Sequence, residues 1–366
     1  MEKTKKKSNK LNLIICGIAF VVMIVYLLFV DKIDHVVGAL KSIKPFFIVL
    51  CVLCMAGYWV CEAISIYVIL KPLHPKIRFV QCWTNTIIGQ YFNCITPFAS
   101  GGQPMQAYYY VQGGVPLGAG LTALLSRFIV FQFALTVYSV FTLIFGINRF
   151  GSELSQKGLL PFVFVGFVIN TAVIVFLLGI ALWKTGTLKA ANALITLLAK
   201  MRIIKNPLRK RLYITREANK FFTNFKFIKK NVWVIIKSCF FTFMQLTLSF
   251  TITYLLCIGF DKDPGSYLKV VSYQAYVNMI TSFIPLPGAI GGAELGFSGF
   301  FNEIFGDYTG VAMMLWRILT FYLPILVGIA HILTMRNKGY KEPSDMEAME
   351  NLYKMEQAAI EEENND

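Results

Sequence analysis

The chain has 366 residues, of which 56% are hydrophobic, and its formal net charge is +15. A water-soluble domain of this size rarely carries so much apolar sequence, so the composition excludes an ordinary soluble globular fold. The charged residues must lie mainly between long apolar stretches, which is typical of an all-α polytopic membrane protein.

Six apolar stretches are long enough to cross a membrane, since about 20 apolar residues in a helix span the roughly 30 Å hydrocarbon layer. In chain order they are residues 11–30, 46–70, 117–147, 160–183, 238–260 and 309–333. The first is longer than the apolar core of a signal peptide, about 7–15 residues, and no small-residue cleavage site follows it. We therefore expect it to be a retained first span.

Two further apolar regions, residues 79–114 and 270–304, are interrupted by proline and glycine. The first contains TPFASGGQP and the second PLPGAIGGAE. We interpret both as re-entrant hairpins, because irregular backbone at membrane depth needs partners from the protein or from a wet cavity. Their predicted tip residues are Pro97, Pro104, Pro285, Pro287 and Gly288.

Basic residues predict the orientation. Five Lys precede the first span, and residues 184–231 carry thirteen Lys and Arg against one Glu. By the positive-inside rule both segments are cytoplasmic, which places a multi-pass protein in the cell membrane with both termini inside. Part of the basic loop, residues 209–231, resembles an interfacial amphipathic helix. We expect these charges to meet anionic lipid headgroups, and we expect no nucleic-acid partner.

The residues that commonly carry enzyme chemistry form no constellation. The eight Cys lie in predicted spans or in the first hairpin, and the three His are scattered. Asp261-Lys262-Asp263 resembles a metal-binding Asp-x-Asp only over three residues in a turn-rich loop. We expect no catalytic residue, no metal and no cofactor.

The two broken segments belong to an internal repeat. Pro97, Gly101 and Gly102 match Pro287, Gly291 and Gly292 at an offset of 190 residues, and Arg127 and Arg317 each follow the second glycine by 25 residues. The predicted topology gives the two halves opposite directions, as in inverted-repeat transporters, whose substrate site lies between the repeats at broken helices. The predicted organisation is a basic tail (1–10), repeat 1 (11–150), repeat 2 (151–335, with the loop 184–231) and an acidic tail (336–366).

The predicted site is one for an anionic or zwitterionic headgroup. Helix N-termini after each Gly-Gly pair offer N–H groups to an anion, and an Arg inside a membrane needs a cavity or a partner. The candidate headgroup-binding residues are Glu62, Gly101, Gly102, Gln103, Arg127, Gly291, Gly292, Glu294 and Arg317. Two alternatives stay open: the arginines form structural pairs with Glu62 and Glu294, or these carboxylates meet a cationic headgroup.

These paired motifs resemble those of the flippase-like integral membrane family, which includes the membrane half of bacterial phosphatidylglycerol lysyltransferases (multiple peptide resistance factors). The resemblance spans about residues 11–333. The family motif positions present are Pro97, Gly101, Gly102, Gln103, Pro104, Pro287, Gly288, Gly291, Gly292 and Glu294. The resemblance implies that phosphatidylglycerol or lysyl-phosphatidylglycerol is moved between leaflets, with resistance to cationic antimicrobial peptides as the outcome.

The family's full-length enzymes also carry a soluble lysyl-transfer domain. Because 33 residues follow Leu333, too few for such a fold, we expect transport rather than lysyltransferase activity. The resemblance leaves open a separate lipid-modifying enzyme as a partner. Alternatives are a lysyltransferase-family enzyme component, a lipid-linked glycosyltransferase component or polyprenyl-phosphate lipid carrier, and a membrane scaffold. The sequence does not indicate the oligomeric state.

The inverted orientation predicts that residues 261–266 face the outside of the cell. A reporter inserted there should be active as an extracytoplasmic fusion, whereas one inserted within residues 184–231 should be active only inside. Cytoplasmic activity from both positions would contradict the opposite directions of the two repeats.

Overall fold

The computed structural model describes residues 33–156, 160–200, 207–281 and 284–337, all of it helices and their connections. The predicted first span, the basic tail and most of the acidic tail lie outside these residues. The described helices of the first half are α1 (Ile33–Ser42), α2 (Pro45–Leu70), α3 (Phe79–Ile95), α4 (Gly102–Gln112) and α5 (Leu117–Gln156).

Eight helices follow in the second half. They are α6 (Leu160–Leu182), α7 (Lys184–Lys200), α8 (Pro207–Lys230), α9 (Val232–Gly259), α10 (Tyr267–Thr281), α11 (Gly292–Phe305), α12 (Thr309–Arg317) and α13 (Leu323–Asn337). A turn of π-helix, Ile318–Tyr322, joins α12 to α13 directly after Arg317. Such turns often occur at functional positions within helices.

Five stretches within the described residues are long and apolar enough to cross a membrane. They are Pro45–Leu70, Leu117–Ile144, Val163–Leu182, Val232–Gly259 and Pro287–Met335. This confirms the all-α polytopic class, and each stretch contains or closely matches one of the predicted spans after the first. The basic segment forms two helices, α7 and α8, which pack against each other.

Both broken regions are helical hairpins. In the first, α3 packs against α4, and the helices are joined by a short 3₁₀ turn, Pro97–Ala99. In the second, α10 packs against α11, and the joining turn is Pro287–Ala289. The two turns and the starts of α4 and α11 lie 190 positions apart, as the sequence motif predicts. Helix α5 runs past residue 150, and the division into domains stays a prediction.

The equivalent helices α2 and α9 run antiparallel at the centre of the protein. Ser65 Oγ lies 2.8 Å from Ser238 Oγ, while Cys51 Sγ donates to Ile252 O at 3.6 Å. As residue numbers fall along α2, the numbers of their contacts rise along α9. Repeat-related helices therefore point in opposite directions, which is the geometry of an inverted repeat.

The contacts of the two hairpins with the other half follow the same pseudo-two-fold relation. Helix α3 packs against α13 of the other half, and its equivalent α10 packs against α5. The second half also holds an aromatic core in which Phe297, Phe300, Phe301 and Phe305 are fully buried. Phe297 stacks on Trp316, with ring centroids 5.1 Å apart, so α11 is fixed against the helix that ends at Arg317.

Close packing of α6 on α10 depends on Gly166. A Cβ atom at this position would lie 2.8 Å from Met279 Cβ and 2.9 Å from the Met279 carbonyl. We expect Gly166→Ala to lower the free energy of unfolding by about 1–3 kcal/mol through overpacking. Thermal unfolding of the detergent-solubilised protein measures this change.

Gly179→Ala on the same helix is the matched control, because a Cβ there would have no atom within 4 Å. Alanine also favours helix over glycine by about 1 kcal/mol, so this variant should be unchanged or more stable. Equal melting temperatures for the two variants would contradict the tight α6–α10 contact.

Candidate functional site

The two hairpin turns meet at the interface between the repeats. Their backbones match at two successive residues: φ is 54° and 51° at Phe98 and Ala99, and 59° and 52° at Gly288 and Ala289. Left-handed conformations are rare outside glycine and cost on the order of 1 kcal/mol or more. The shared, unusual backbone shows that the two turns are equivalent parts of the repeat.

Side chains at the end of α3 and directly after it accept the backbone N–H groups of the first turn. Thr96 Oγ1 accepts the Gly101 N–H at 2.8 Å and donates to Phe92 O at 2.6 Å. Asn93 Oδ1 accepts the Gly102 N–H at 3.1 Å. A Cβ atom on Gly102 would lie 2.1 Å from Asn93 Oδ1, so this close approach requires glycine.

An ion pair supplies the hydrogen-bond partners of the backbone groups in the second turn. Glu294 Oε2 accepts the Gly291 N–H at 2.7 Å, and Oε1 accepts from Arg317 Nε at 2.7 Å. Arg317 Nη1 donates to Gly288 O at 2.9 Å. A Cβ atom on Gly288 would lie 2.1 Å from the Phe321 ring. Arg317 therefore positions both the turn and the beginning of α11.

The first repeat holds its arginine with a carboxylate from a different helix. Arg127 Nη2 lies 3.0 Å from Glu62 Oε1 on α2, and Glu62 is only 1% exposed. Gln90 and Gln245 donate to Glu62 Oε2 at 2.5 and 3.1 Å. The Arg127 guanidinium also lies 5.8 Å from the Phe131 ring centroid. Glu62 thus has a charged partner and two amide donors, whereas Arg127 Nε has no hydrogen-bond partner among the described residues.

A cavity of about 390 Å³ opens beside the two turns. Both repeats contribute to its walls, including Phe98 and Ala99 from the first turn and Gly288 and Ala289 from the second. Many of its polar groups are carboxamides, from Gln90, Asn93, Gln132, Gln274 and Asn278. Its volume lies within the roughly 300–1,000 Å³ typical of small-molecule sites.

Arg317 is the charged residue of the described cavity lining. It is 4% exposed, and its Nη2 atom has no hydrogen-bond partner among the described residues. The guanidinium lies 5.3 and 5.4 Å from the ring centroids of Trp316 and Phe321. An Arg donor held this way can bind a phosphate or carboxylate oxygen strongly.

The structure brings the predicted charged residues together as pairs, Arg127 with Glu62 and Arg317 with Glu294. Of these four, Arg317 lines the cavity, and Glu62 contacts the lining residue Gln90. The structure thus forms both pairs of the open structural alternative, and in each pair one arginine nitrogen, Arg127 Nε or Arg317 Nη2, has no hydrogen-bond partner among the described residues. The assignment of headgroup-binding residues stays a prediction.

Three of the predicted N–H donors at the helix starts already have acceptors in the protein. Side chains of Thr96, Asn93 and Glu294 accept from Gly101, Gly102 and Gly291. An anion at these atoms would have to displace a side chain. Gln103 is partly buried and Pro104 is exposed.

Sequence reasoning missed the carboxamides of the cavity wall. Gln90 and Asn93 lie three positions apart on α3, and Gln274 and Asn278 lie four apart on α10. Spacings of three and four residues place side chains on one face of a helix. The sequence signal for this cavity wall was therefore a pair of carboxamide residues, three or four positions apart, in each of two largely apolar helices.

The Asp-x-Asp segment has other contacts. Asp261 pairs with Lys44, and Asp263 accepts the Gly265 N–H at 2.8 Å. Within the described ranges, no group of three or more His, Cys, Asp or Glu could hold a metal ion.

Fold and cavity define a polytopic α-helical membrane protein built from two inverted repeats, with a polar cavity where their broken hairpins meet. The sequence model of one protein family, described as the lysylphosphatidylglycerol synthase TM region, matches residues 14–328. The match covers most of the chain, so the protein belongs to this family, which confirms the family that the paired motifs indicate. No curated protein matches the chain.

Breaking the buried pair in the first repeat should destabilise the protein. Glu62→Gln leaves the Arg127 charge without its carboxylate, and we expect a loss of about 3–5 kcal/mol in the free energy of unfolding. The double variant Glu62→Leu/Arg127→Leu should lose less, because no charge is left unpaired. Denaturant or thermal unfolding in detergent provides the comparison.

Asp261→Asn is the control for this experiment. It breaks the exposed pair with Lys44, which should contribute about 0–1 kcal/mol. A double variant less stable than Glu62→Gln would contradict a pair held mainly by charge compensation.

Proposed function

We propose that the protein moves an anionic or aminoacylated phospholipid, of the phosphatidylglycerol or lysyl-phosphatidylglycerol type, between the leaflets of the cell membrane. Its contribution to the cell would be resistance to cationic antimicrobial peptides, because a cationic lipid in the outer leaflet repels them. Membrane phospholipids are the proposed partners, together with a separate enzyme that modifies them. Both termini would face the cytoplasm.

The observation that carries the proposal is Arg317, the charged residue in the described lining of a cavity that both repeats share. The cavity is lined by the two broken turns, which is where inverted-repeat transporters bind their substrates. Arg317 Nη2 is buried beside this cavity with no partner in the described part of the chain. A phosphodiester oxygen would complete its hydrogen bonding.

The carboxamides supply the second element of recognition. Asn and Gln side chains can donate to phosphate and ester oxygens and accept from hydroxyl or ammonium groups. Their neutrality accommodates either a glycerol or an aminoacyl headgroup. Apolar lining residues such as Phe128 and Leu135 offer a surface for the beginning of the acyl chains.

Leaflet exchange of fluorescent phosphatidylglycerol and lysyl-phosphatidylglycerol in proteoliposomes tests the proposal. Wild type should exchange at least one of these lipids. Arg317→Gln should reduce the exchange about tenfold or more, because a hydrogen bond to a charged group contributes about 1.5–3 kcal/mol. Insertion and monodispersity are matched before rates are compared.

Arg78→Gln is the matched control, because Arg78 is exposed and lies outside the cavity. Its exchange rate should equal that of wild type. Equal rates for Arg317→Gln and wild type would contradict a headgroup site at Arg317. If wild type exchanges neither lipid, the proposed substrates are wrong, and polyprenyl-phosphate lipids are the next to test.

A further inference from the structure

A second large concavity lies away from the central cavity, between the beginning of α5 and the helices α7 and α8. We call it the interfacial groove; its volume is about 960 Å³. Its floor includes Leu73, Pro116 and Ala119. Leu73 follows the end of α2, and Pro116 directly precedes α5, so the groove lies where two membrane-crossing stretches meet the polar boundary.

The walls of the interfacial groove are polar. Helix α7 contributes Asn192 and Thr196. Helix α8 contributes a single face, made of Thr215, Arg216, Asn219, Lys220, Thr223 and Asn224. These positions repeat every four residues in adjacent pairs, which is the spacing of one helix face. The groove thus combines an apolar floor with hydroxyl, carboxamide and cationic walls.

Packing holds this face of α8 in place. A Cβ atom on Gly118 would lie 3.0 Å from Lys220 Cβ and 3.3 Å from Glu217 Oε2, so α8 approaches α5 closely at this glycine. Phe221 and Ile228 on α8 are buried, at 9% and 3% exposure. The wall therefore belongs to the packed structure and is not a loose amphipathic segment.

The charges of the groove favour an anion. Arg216 and Lys220 line it, and the neighbouring carboxylate is Glu217, which lies 3.2 Å from Lys220 Nζ. The charged residues of the described lining are both cations. Asn192 Oδ1 is enclosed and has no hydrogen-bond partner among the described residues, which makes it an available acceptor for a hydroxyl group.

We propose that the interfacial groove binds the headgroup of a membrane phospholipid that carries a phosphodiester and free hydroxyl groups. Arg216 and Lys220 meet the phosphodiester, as basic side chains do at other phosphate sites. Asn192 and Asn219 meet the hydroxyls, and the apolar floor receives the first methylenes of the acyl chains. This site does not depend on the central cavity.

The test measures binding of dihexanoyl phosphatidylglycerol to the full chain in detergent by calorimetry, in wild type and in an Arg317→Gln background. Wild type should bind two lipids, and Arg317→Gln should keep one. In that background, Arg216→Gln/Lys220→Gln should weaken the remaining binding at least tenfold. Asn219→Asp, which keeps the side-chain volume, should also weaken it by placing a carboxylate beside the phosphodiester.

Lys226→Gln/Lys229→Gln is the matched control, because it removes two exposed charges from α8 outside the groove. Each basic residue near a membrane surface contributes about 1 kcal/mol without any specific site. Equal weakening by both double variants would therefore overturn the groove site in favour of general surface charge.

Two further outcomes would overturn the proposal. If Arg317→Gln abolishes all lipid binding, the groove holds no lipid, while the central site stands. If glycerol 1-phosphate competes as strongly as the lipid, the groove binds a soluble phosphate ester. Conversely, if the lipid-exchange test of the central site fails while the groove still binds lipid, only the proposed transport is contradicted.

Discussion

Backbone groups that leave a helix at membrane depth need partners within the protein, and this constraint organises the whole structure. At the first turn, Thr96 and Asn93 accept the N–H groups freed by the break. At the second turn, Glu294 and Arg317 satisfy an N–H and a carbonyl. The hairpin and neighbouring helices of each repeat supply the hydrogen-bond partners of its own turn. The two irregular segments can therefore lie side by side and leave a cavity between them.

The repeats share their backbone but not their charges. Arg127 and Arg317 occupy equivalent positions, yet Glu62 reaches the first from α2 and Glu294 reaches the second from the hairpin. Two carboxamides donate to the carboxylate of the first pair, and each pair leaves one arginine nitrogen, Arg127 Nε or Arg317 Nη2, without a hydrogen-bond partner among the described residues. An inverted repeat thus supplies a symmetric scaffold, and its polar residues differ enough that Arg317, but not Arg127, lines the cavity.

Much of the fold followed from the sequence, because long apolar stretches and glycine breaks have few alternatives in a membrane. The offset between Gly102 and Gly292 predicted the equivalent turns, and the topology given by the basic residues predicted the opposite directions of α2 and α9. Which polar groups would line the cavity was not predictable, since Gln132 and Gln274 are distant in sequence and meet only through packing. Nor could the sequence decide between partners for the arginines, because a carboxylate one helix away and an anionic ligand satisfy the same charge.

The two turns differ at one position, Phe98 against Gly288, in a way that changes their conformational energy. Phe98 adopts a left-handed conformation and is 60% exposed, whereas its equivalent is Gly288, which no side chain could replace without meeting Phe321. Because Ala99 and Ala289 are left-handed in both turns, the first turn carries one more strained residue and a bulky side chain, while the second is tightly covered. If the repeats exchange conformations during transport, the two end states differ in energy by this strain and packing. The resting population would then favour one side of the membrane even without a ligand or a gradient.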